Sequence, residues 1–236
     1  MTREKSFRFK HFTVHHDRCA MKVGTDGVLL GAWADVEGAR TALDIGTGTG
    51  LIALMLAERN GLLRVTGIDI DPEAVAQARE NVLDSPWADR IVIRRADFTS
   101  ADAGGTRYDL IVSNPPFHTE DTLNPDASRT AARHTASLPI PSLVKRAGAL
   151  LGTEGRFCLI VPTRLAAEVI GEAAASRLFL TRRTDVKTTP QKPAKRSLLE
   201  FVPYATPTLH ATMTLQNEQG QRSAAYAALT HDFYLN

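Results

Sequence analysis

The sequence has few cysteines, no long apolar run and almost no surplus of charge of one sign. Cys19 and Cys158 are its two cysteines, and neither lies in a CxxC or Cys/His cluster, which excludes a disulfide framework and argues against a zinc site. The apolar run at residues 51–57 is far too short to span a bilayer, and the first ten residues lack the apolar core of a signal peptide. We therefore expect a reduced, cytoplasmic protein with no metal and no contact with a membrane.

The net charge of +2 conceals an uneven distribution along the chain. Residues 1–22 carry a net charge of +4 and residues 177–196 one of +6, so that the other residues sum to −8. Two basic segments in an otherwise acidic chain are the footprint of a protein that binds a polyanion. Solvated charged faces without any partner give the same pattern, and charge alone does not separate the two.

From residue 41 onwards, short apolar strands alternate with helical segments. We predict strands at residues 41–45, 64–70, 90–94, 108–113, 155–161, 182–187 and 197–202, and helices at residues 51–59, 72–83, 141–151 and 164–176. This alternation predicts a mostly parallel seven-stranded sheet with helices on both faces, closed by a hairpin that makes the last strand antiparallel. We expect one α/β domain, with residues 1–36 as a short N-terminal arm and capping region and residues 37–236 as the core.

The first predicted strand ends in the glycine-rich sequence DIGTGTG, residues 44–50. Glycines let a backbone turn sharply and approach a ligand closely. The spacing is GxGxG, and Leu51 stands where a dinucleotide-binding loop has its third glycine, which disfavours a nicotinamide oxidoreductase. Asp44 precedes the loop; an acid here disfavours a pyrophosphate and suits a ligand that carries an ammonium and a sulfonium group. S-adenosylmethionine (AdoMet) is such a ligand.

Acidic residues also follow the second and third strands. Asp69 ends the second strand, and a carboxylate at this place accepts two hydrogen bonds from a ribose diol. Asp97 and Phe98 follow the third strand, where a carboxylate can accept from an adenine amine and a ring can cover the adenine face. The predicted cofactor contacts are Asp44, Gly46, Gly48, Gly50, Asp69, Ile70, Asp97, Phe98 and Asn114, and S-adenosylhomocysteine is the expected cofactor product.

The fourth strand runs into NPPF, residues 114–117, which is the most specific signal in the chain. Two prolines fix φ and remove two N–H donors, which gives a rigid turn with outward-facing carbonyl groups. The Asn114 side-chain oxygen and the Pro115 carbonyl can then accept from one –NH2 group. Acceptors outside its plane favour a localised lone pair and stabilise the positive charge that develops as a methyl group arrives. We predict Asn114, Pro115, Pro116 and Phe117 as catalytic, with Phe117 stacking on a flat substrate.

Together, the glycine-rich loop, Asp69, Asp97 and NPPF resemble the class I AdoMet-dependent methyltransferases with an Asn-Pro-Pro-aromatic motif. That group methylates adenine amines in DNA and RNA, guanine amines in ribosomal RNA and the glutamine amide of release factors, and the motif alone does not choose among them. The flanks are similar to those of the bacterial valine-tRNA adenine methyltransferases. The similar segments are FRFKHFTV at residues 7–14, HDRCAMKVGTDG at 16–27, SPWADR at 85–90 and LTHDFYL at 229–235.

The resemblance implies a Rossmann-like class I methyltransferase fold and methyl transfer to the exocyclic amine of the adenine 3′ of the anticodon in valine tRNA. It also implies cofactor contacts near the methionine end from Lys22, Gly24, Thr25 and Asp26, although by themselves these residues indicate a glycine turn with a helix cap. tRNA is the expected partner of a monomeric chain. A ribosomal RNA guanine methyltransferase, a protein glutamine methyltransferase and an inactive RNA-binding protein are the alternatives.

Two further segments are candidates for contact with RNA. Lys192, Lys195 and Arg196 lie in or beside a loop rich in proline and lysine, and we predict that they bind phosphates. Arg133 and His134 follow a polar loop, and we predict contact with the substrate; a buried, hydrogen-bonded His134 is the alternative.

Overall fold

The computed structural model describes residues 5–19, 22–100, 105–116 and 138–235. The strands are β1 (Ser6–Arg8), β2 (Thr13–His15), β3 (Thr41–Ile45), β4 (Arg64–Asp69), β5 (Ile91–Arg95), β6 (Tyr108–Ser113), β7 (Leu151–Pro162), β8 (Phe179–Lys187), β9 (Ala194–Val202) and β10 (Leu209–Thr214). The helices are α1 (Thr25–Trp33), α2 (Leu51–Arg59), α3 (Pro72–Leu83), α4 (Ile140–Leu150), α5 (Ala166–Ala175) and α6 (Ala224–Leu229), and a 3-10 turn occupies Thr163–Leu165.

Among the described residues, β3 to β10 form one eight-stranded sheet in the order β10-β8-β9-β7-β6-β3-β4-β5. β9 runs antiparallel to its neighbours β7 and β8, and the other pairs in the sheet are parallel. The predicted α/β class, with a mostly parallel sheet and a late hairpin, is confirmed.

The sheet holds one strand more than the sequence predicts. β10 follows the expected final hairpin and runs parallel to β8, so the last strand is not the antiparallel one. Four of its six residues are exposed and only Met213 is buried, which leaves no apolar alternation to predict a strand. The sequence pattern also misses α1, because residues 27–33 are buried on all sides and show no helical periodicity.

Apolar clusters cover both faces of the sheet. Leu30 of α1, Leu54 of α2 and Val75 of α3 belong to the cluster on one face. Val144 of α4 and Val169 of α5 belong to the cluster on the other face. Within the described ranges, no helix combines the length and apolar character needed to cross a membrane.

The N-terminal hairpin of β1 and β2 packs against the first of these faces. Phe9, Phe12 and Val14 are buried, and the rings of Phe9 and Phe12 stack with centroids 4.6 Å apart. The backbone N–H of Lys10 donates to the carbonyl of Phe233 at 2.9 Å, which joins the hairpin to the C-terminal segment. The aromatic side chains of this segment therefore stabilise the fold, while Lys5 stays exposed.

The carboxyl ends of the parallel strands meet at one edge of the sheet, here called the carboxyl edge. β3 has β4 on one side and β6 on the other, which is the topological switch point where open α/β sheets bind ligands. β9 begins at the same edge, because Arg196 pairs with Pro162 at the end of β7. The starts of α1 and α2 also meet: a Cβ on Gly27 would lie 3.1 Å from the Leu51 side chain. The residues predicted to be functional can therefore converge at this edge.

Candidate active site

The glycine-rich loop between β3 and α2 has a conformation that favours glycine. Gly46, Gly48 and Gly50 have φ angles of +70°, +54° and +80°. A Cβ on Gly46 or Gly48 would meet no described atom within 4 Å. The positive φ angles, and not a lack of space, therefore favour glycine at these two positions, and the space next to the loop is open. The N–H groups of Gly46 and Thr47 donate to the Ile68 carbonyl, both at 2.9 Å, which folds the loop over the end of β4.

Asp44 lies fully buried beneath this loop. Its Oδ2 accepts a hydrogen bond from the Thr47 hydroxyl at 2.6 Å. Its Oδ1 makes no hydrogen bond of ordinary geometry with the residues that the structure describes, although the Ala53 backbone N–H lies close enough to favour the ionised carboxylate. Burial raises the pKa of Asp44 to about 7; the Thr47 hydroxyl opposes the rise, the charge of Asp69 adds to it and the Ala53 backbone N–H opposes it more weakly. A buried carboxylate with unfilled hydrogen-bonding capacity destabilises the folded state unless a hydrogen-bond donor or a cation binds to it.

Asp69 connects the loop to the end of β4. Its Oδ2 accepts from the Gly48 N–H at 2.9 Å and its Oδ1 accepts from the Asp71 N–H at 3.0 Å. Each carboxylate oxygen retains capacity for a further hydrogen bond. Asp71 instead caps α3 by accepting from the Glu73 N–H at 3.0 Å, which agrees with the predicted start of this helix at residue 72.

Asp97 and Phe98 follow β5 at the same edge. Oδ1 of Asp97 accepts from the Thr99 N–H at 2.8 Å and from the Thr99 hydroxyl at 2.7 Å. These hydrogen bonds lower the pKa of Asp97 below its ordinary value, so the carboxylate is ionised and ready to accept at neutral pH. The Phe98 ring is 6% exposed and lies in the apolar cluster under α4.

The Asn-Pro-Pro turn, residues 114–116, follows β6 directly beside the glycine-rich loop. Ser113 pairs with Ile45 in the sheet, and its buried hydroxyl donates to the Ile45 carbonyl at 3.0 Å. Adjacent strands lie only about 4.8 Å apart, so the turn and the loop are immediate neighbours. Asn114 is half-buried, Pro115 buried and Pro116 exposed. Phe117, Arg133 and His134 lie outside the described residues.

The segment before α1 reaches the same edge from the N-terminal side. Gly24 is the residue before the first turn of α1, and Lys22 and Thr25 are exposed. Asp26 accepts a hydrogen bond from Nε of Arg196 at 2.7 Å. This ion pair joins the start of α1 to the start of β9, so the expected cofactor segment and the expected RNA loop lie next to each other.

Several basic side chains of the segment at residues 177–196 are paired within the protein, so fewer of them are available to a partner than the sequence suggests. Arg182 donates to Glu200 at 2.7 Å and covers the Trp33 ring at 3.7 Å, and Arg183 donates to Asp185 at 2.9 Å. Lys187 donates to the Pro190 carbonyl at 2.6 Å. Lys192 and Lys195, by contrast, are exposed at the carboxyl edge. The loop thus presents two lysines, while several neighbouring arginines support the fold.

Sequence reasoning overlooked two residues that the sheet places at this edge. Ser113 joins the Asn-Pro-Pro turn to the glycine-rich loop, and Arg164 is exposed in the 3-10 turn after β7. Ser113 is the last residue of a predicted strand and Arg164 comes three residues after another. These positions were the available signal, because strand ends in a parallel sheet converge. In the described ranges, no group of three or more His, Cys, Asp and Glu side chains could hold a metal ion.

Comparison with known proteins shows which structures and which family the chain is similar to. Two solved structures show the fold: a predicted O-methyltransferase from Agrobacterium tumefaciens (TM-score 0.69, 20% identity, covering 88% of this chain and 96% of that one) and the CcbJ methyltransferase from Streptomyces caelestis (TM-score 0.58, 17% identity, covering 80% and 96%). The methyltransferase small domain family model matches residues 23–183.

Relatives at higher identity align over nearly the whole chain. The tRNA1(Val) (adenine(37)-N6)-methyltransferase of Klebsiella pneumoniae is 46% identical over 231 residues, which cover 97% of this chain and 94% of that protein. The protein of the same name from Phocaeicola vulgatus is 47% identical over 233 residues, covering 98% and 97%. The chain is therefore an enzyme that belongs to the methyltransferase small domain family and, within it, to the family of the tRNA1(Val) (adenine(37)-N6)-methyltransferases.

Proposed function

We propose that the protein transfers a methyl group from AdoMet to the N6 amine of the adenine 3′ of the anticodon in valine tRNA. The observation that carries this proposal is the position of the Asn-Pro-Pro turn, which the hydrogen bond from Ser113 to Ile45 holds beside the glycine-rich loop. The names of the relatives support the choice of tRNA and of adenine.

The residues around the glycine-rich loop fit AdoMet. The unsatisfied Oδ1 of Asp44 and the open space above Gly46 and Gly48 suit a cationic ligand that approaches the backbone closely. Asp69 would bind the ribose diol and Asp97 the adenine amine, with Lys22–Asp26 near the methionine end. When bound, AdoMet supplies a methyl group on a positively charged sulfur.

The Asn-Pro-Pro turn activates the substrate amine. The lone pair of adenine N6 is delocalised into the ring, which makes it a poor nucleophile. The side-chain oxygen of Asn114 and the carbonyl of Pro115 accept from the –NH2 group, localise the lone pair and stabilise the developing positive charge. Phe117 stacks on the base, and the turn holds the amine in line for transfer. The nitrogen loses its proton after the methyl group has arrived, so no strong general base is required.

The RNA would extend from the Asn-Pro-Pro turn towards β7 and β9. The sheet order places β7, then β9, beyond β6, so Lys195 at the start of β9 is about two strand spacings, roughly 10 Å, to the side of Asn114. Lys192 lies in the loop that joins β8 to β9. That distance suits contact with phosphates that flank an adenine bound at the turn. We propose that the whole chain forms one domain, in which residues 1–36 are an N-terminal arm and capping region; the packing of Phe9, Phe12 and Val14 into the first apolar cluster supports this.

The substrate assignment is tested by giving the protein labelled AdoMet with unmodified valine tRNA, ribosomal RNA and release factor in parallel. Nucleoside mass spectrometry of the tRNA is expected to show N6-methyladenosine, and mass spectrometry of nuclease fragments should place it at one position, next to the anticodon. Label that enters only protein, or only methylguanosine, would contradict the proposal and favour a glutamine or guanine methyltransferase.

Removing the exposed side chains of Lys192 in the β8–β9 loop and of Lys195 at the start of β9 is expected to weaken tRNA binding. The double substitution Lys192→Ala and Lys195→Ala removes two phosphate contacts, so the slope of log affinity against log salt should fall by about 2. The dissociation constant of AdoMet should stay unchanged. Filter binding over a salt series measures the slope, and Arg64→Ala serves as control because Arg64 is exposed at the opposite edge, at the start of β4. Equal slopes for the double variant and the wild type would remove the loop from the RNA interface.

A further inference from the structure

We propose that Arg146 of α4 is a positioning residue for the adenine ring of AdoMet, acting through the turn at residues 97–100. The inference rests on the proposed function, because it takes this turn to be the place where the adenine amine binds. Arg146 lies 49 positions after Asp97 along the chain, and no sequence pattern joins the two.

The contacts form a chain from the helix to the carboxylate. Nη1 of Arg146 donates to the Thr99 carbonyl at 3.0 Å. Thr99 in turn donates its backbone N–H and its hydroxyl to Oδ1 of Asp97, at 2.8 Å and 2.7 Å. The guanidinium of Arg146 also covers the Phe98 ring, with Cζ 5.4 Å from the ring centroid. One side chain therefore holds both residues that follow Asp97.

The scaffold around Arg146 is rigid. Leu143, Val144 and Ala147 on the same helix are fully buried in the second apolar cluster, which also contains Phe98. The helix thus fixes the position of the guanidinium relative to the end of β5. Nε of Arg146 is buried and has no hydrogen-bond partner among the described residues; within these residues the Thr99 carbonyl and the Phe98 ring engage the head group.

The orientation of the Asp97 carboxylate favours ligands that carry the exocyclic amine of adenine. One Asp97 oxygen is occupied by Thr99, which orients the second oxygen. A carboxylate held in this way accepts from the exocyclic amine of adenine and repels a carbonyl oxygen at the same ring position. The hydrogen bonds from Thr99 and then from the Ser100 hydroxyl keep the pKa of Asp97 low, and the charge of Arg146 is the smallest of these contributions. Without Arg146 the turn can move, and the discrimination between an amine and a carbonyl is lost.

The test compares S-adenosylhomocysteine with S-inosylhomocysteine, which carries a carbonyl in place of the amine. Calorimetry of the wild type is expected to show clear preference for the adenosyl ligand. Arg146→Met should raise the dissociation constant of the adenosyl ligand about tenfold, since the Asp97 carboxylate is no longer oriented to accept a charge-assisted hydrogen bond from the amine. The dissociation constant of the inosyl ligand should stay within about twofold. Arg146→Lys should restore part of the preference. In turnover assays the Arg146→Met variant should raise the KM for AdoMet while kcat stays within about twofold.

Two further variants keep the outcome interpretable. Lys145→Met removes an exposed cation from the same helix and should change neither ligand. Thr99→Val removes the hydroxyl that donates to Asp97 and should reproduce the loss seen with Arg146→Met, even if the latter fails to fold. The inference would be overturned if the Arg146 and Thr99 variants lost affinity equally for both ligands, or if neither variant lost affinity for the adenosyl ligand. A wild type that shows no preference for the adenosyl ligand would overturn it as well. A wild type that binds neither ligand would instead refute the proposed function itself.

Discussion

Asn114→Ala is expected to lower the rate of methyl transfer by about 10²–10³-fold, the size of effect seen when one preorganised polar group is removed from a transition state. The side-chain oxygen accepts from the amine most strongly when positive charge develops on the nitrogen, so its loss raises the barrier more than it weakens the ground state. Single-turnover methylation of unmodified valine tRNA with labelled AdoMet measures this rate directly.

The matched variant is Asn114→Asp, which retains an acceptor oxygen at the same place. It should keep more activity than Asn114→Ala, because the acceptor and not the amide nitrogen supports the reaction. Asn114 is only one of the predicted cofactor contacts, and both variants leave the glycine-rich loop, Asp44 and Asp69 untouched. AdoMet should therefore bind both variants with a dissociation constant within about threefold of the wild type. An alanine variant that methylates at nearly the wild-type rate would show that the turn has only a structural role.

Asp44→Asn is expected to stabilise the folded protein at neutral pH and to weaken its binding of AdoMet. Burial raises the pKa of Asp44 from its ordinary value of 3.8 to about 7. The folded state therefore holds this proton more tightly than the unfolded chain, and its contribution to stability falls as pH rises from about 4 to about 7. A rise in pKa from 3.8 to about 7 corresponds to at most about 4 kcal/mol of unfolding free energy, which is the ceiling on the stability that the amide can restore at high pH.

The same shift makes AdoMet binding depend on pH. A cationic ligand favours the ionised carboxylate, so affinity should rise as pH increases through about 7, and binding below that pH should release a proton. In Asp44→Asn both the pH dependence and the proton release should disappear, with affinity at pH 8 reduced about tenfold or more.

Calorimetry in buffers of different ionisation enthalpy detects the proton, and thermal unfolding at pH 5 and pH 8 follows stability. The Asn variant should gain more in Tm at pH 8 than at pH 5. Glu154→Gln, which alters an exposed acid on β7, is the control and should change neither quantity. A variant that binds AdoMet as tightly as the wild type, with the same pH profile, would show that Asp44 is a structural residue alone.

The strand–helix core was readable from sequence because local signals agreed with the fold. α3 begins and ends at the predicted residues, since Asp71 caps it and Pro72 suits its first turn. β6 also has its predicted bounds, as a short apolar run before two prolines. α1 and β10 escaped prediction for opposite reasons, because one is buried all round and the other is mostly exposed.

The candidate site was only partly readable. Strand ends can be found by pattern, and those of β3, β4, β5 and β6 do meet at one edge. Contacts between distant residues cannot be found that way: Arg196 is neutralised by Asp26 from 170 positions away, and Arg146 reaches Thr99 across 47 positions. Counting charges along the sequence therefore overestimated the basic surface available to RNA.

The most direct test of the account is a structure of the protein with S-adenosylhomocysteine and valine tRNA. The adenine 3′ of the anticodon should lie at the carboxyl edge, with N6 about 2.7–3.2 Å from both the side-chain oxygen of Asn114 and the carbonyl of Pro115. The sulfur of the cofactor should face the same nitrogen. An adenine bound elsewhere, or an Asn-Pro-Pro turn that contacts neither the base nor the cofactor, would contradict the account.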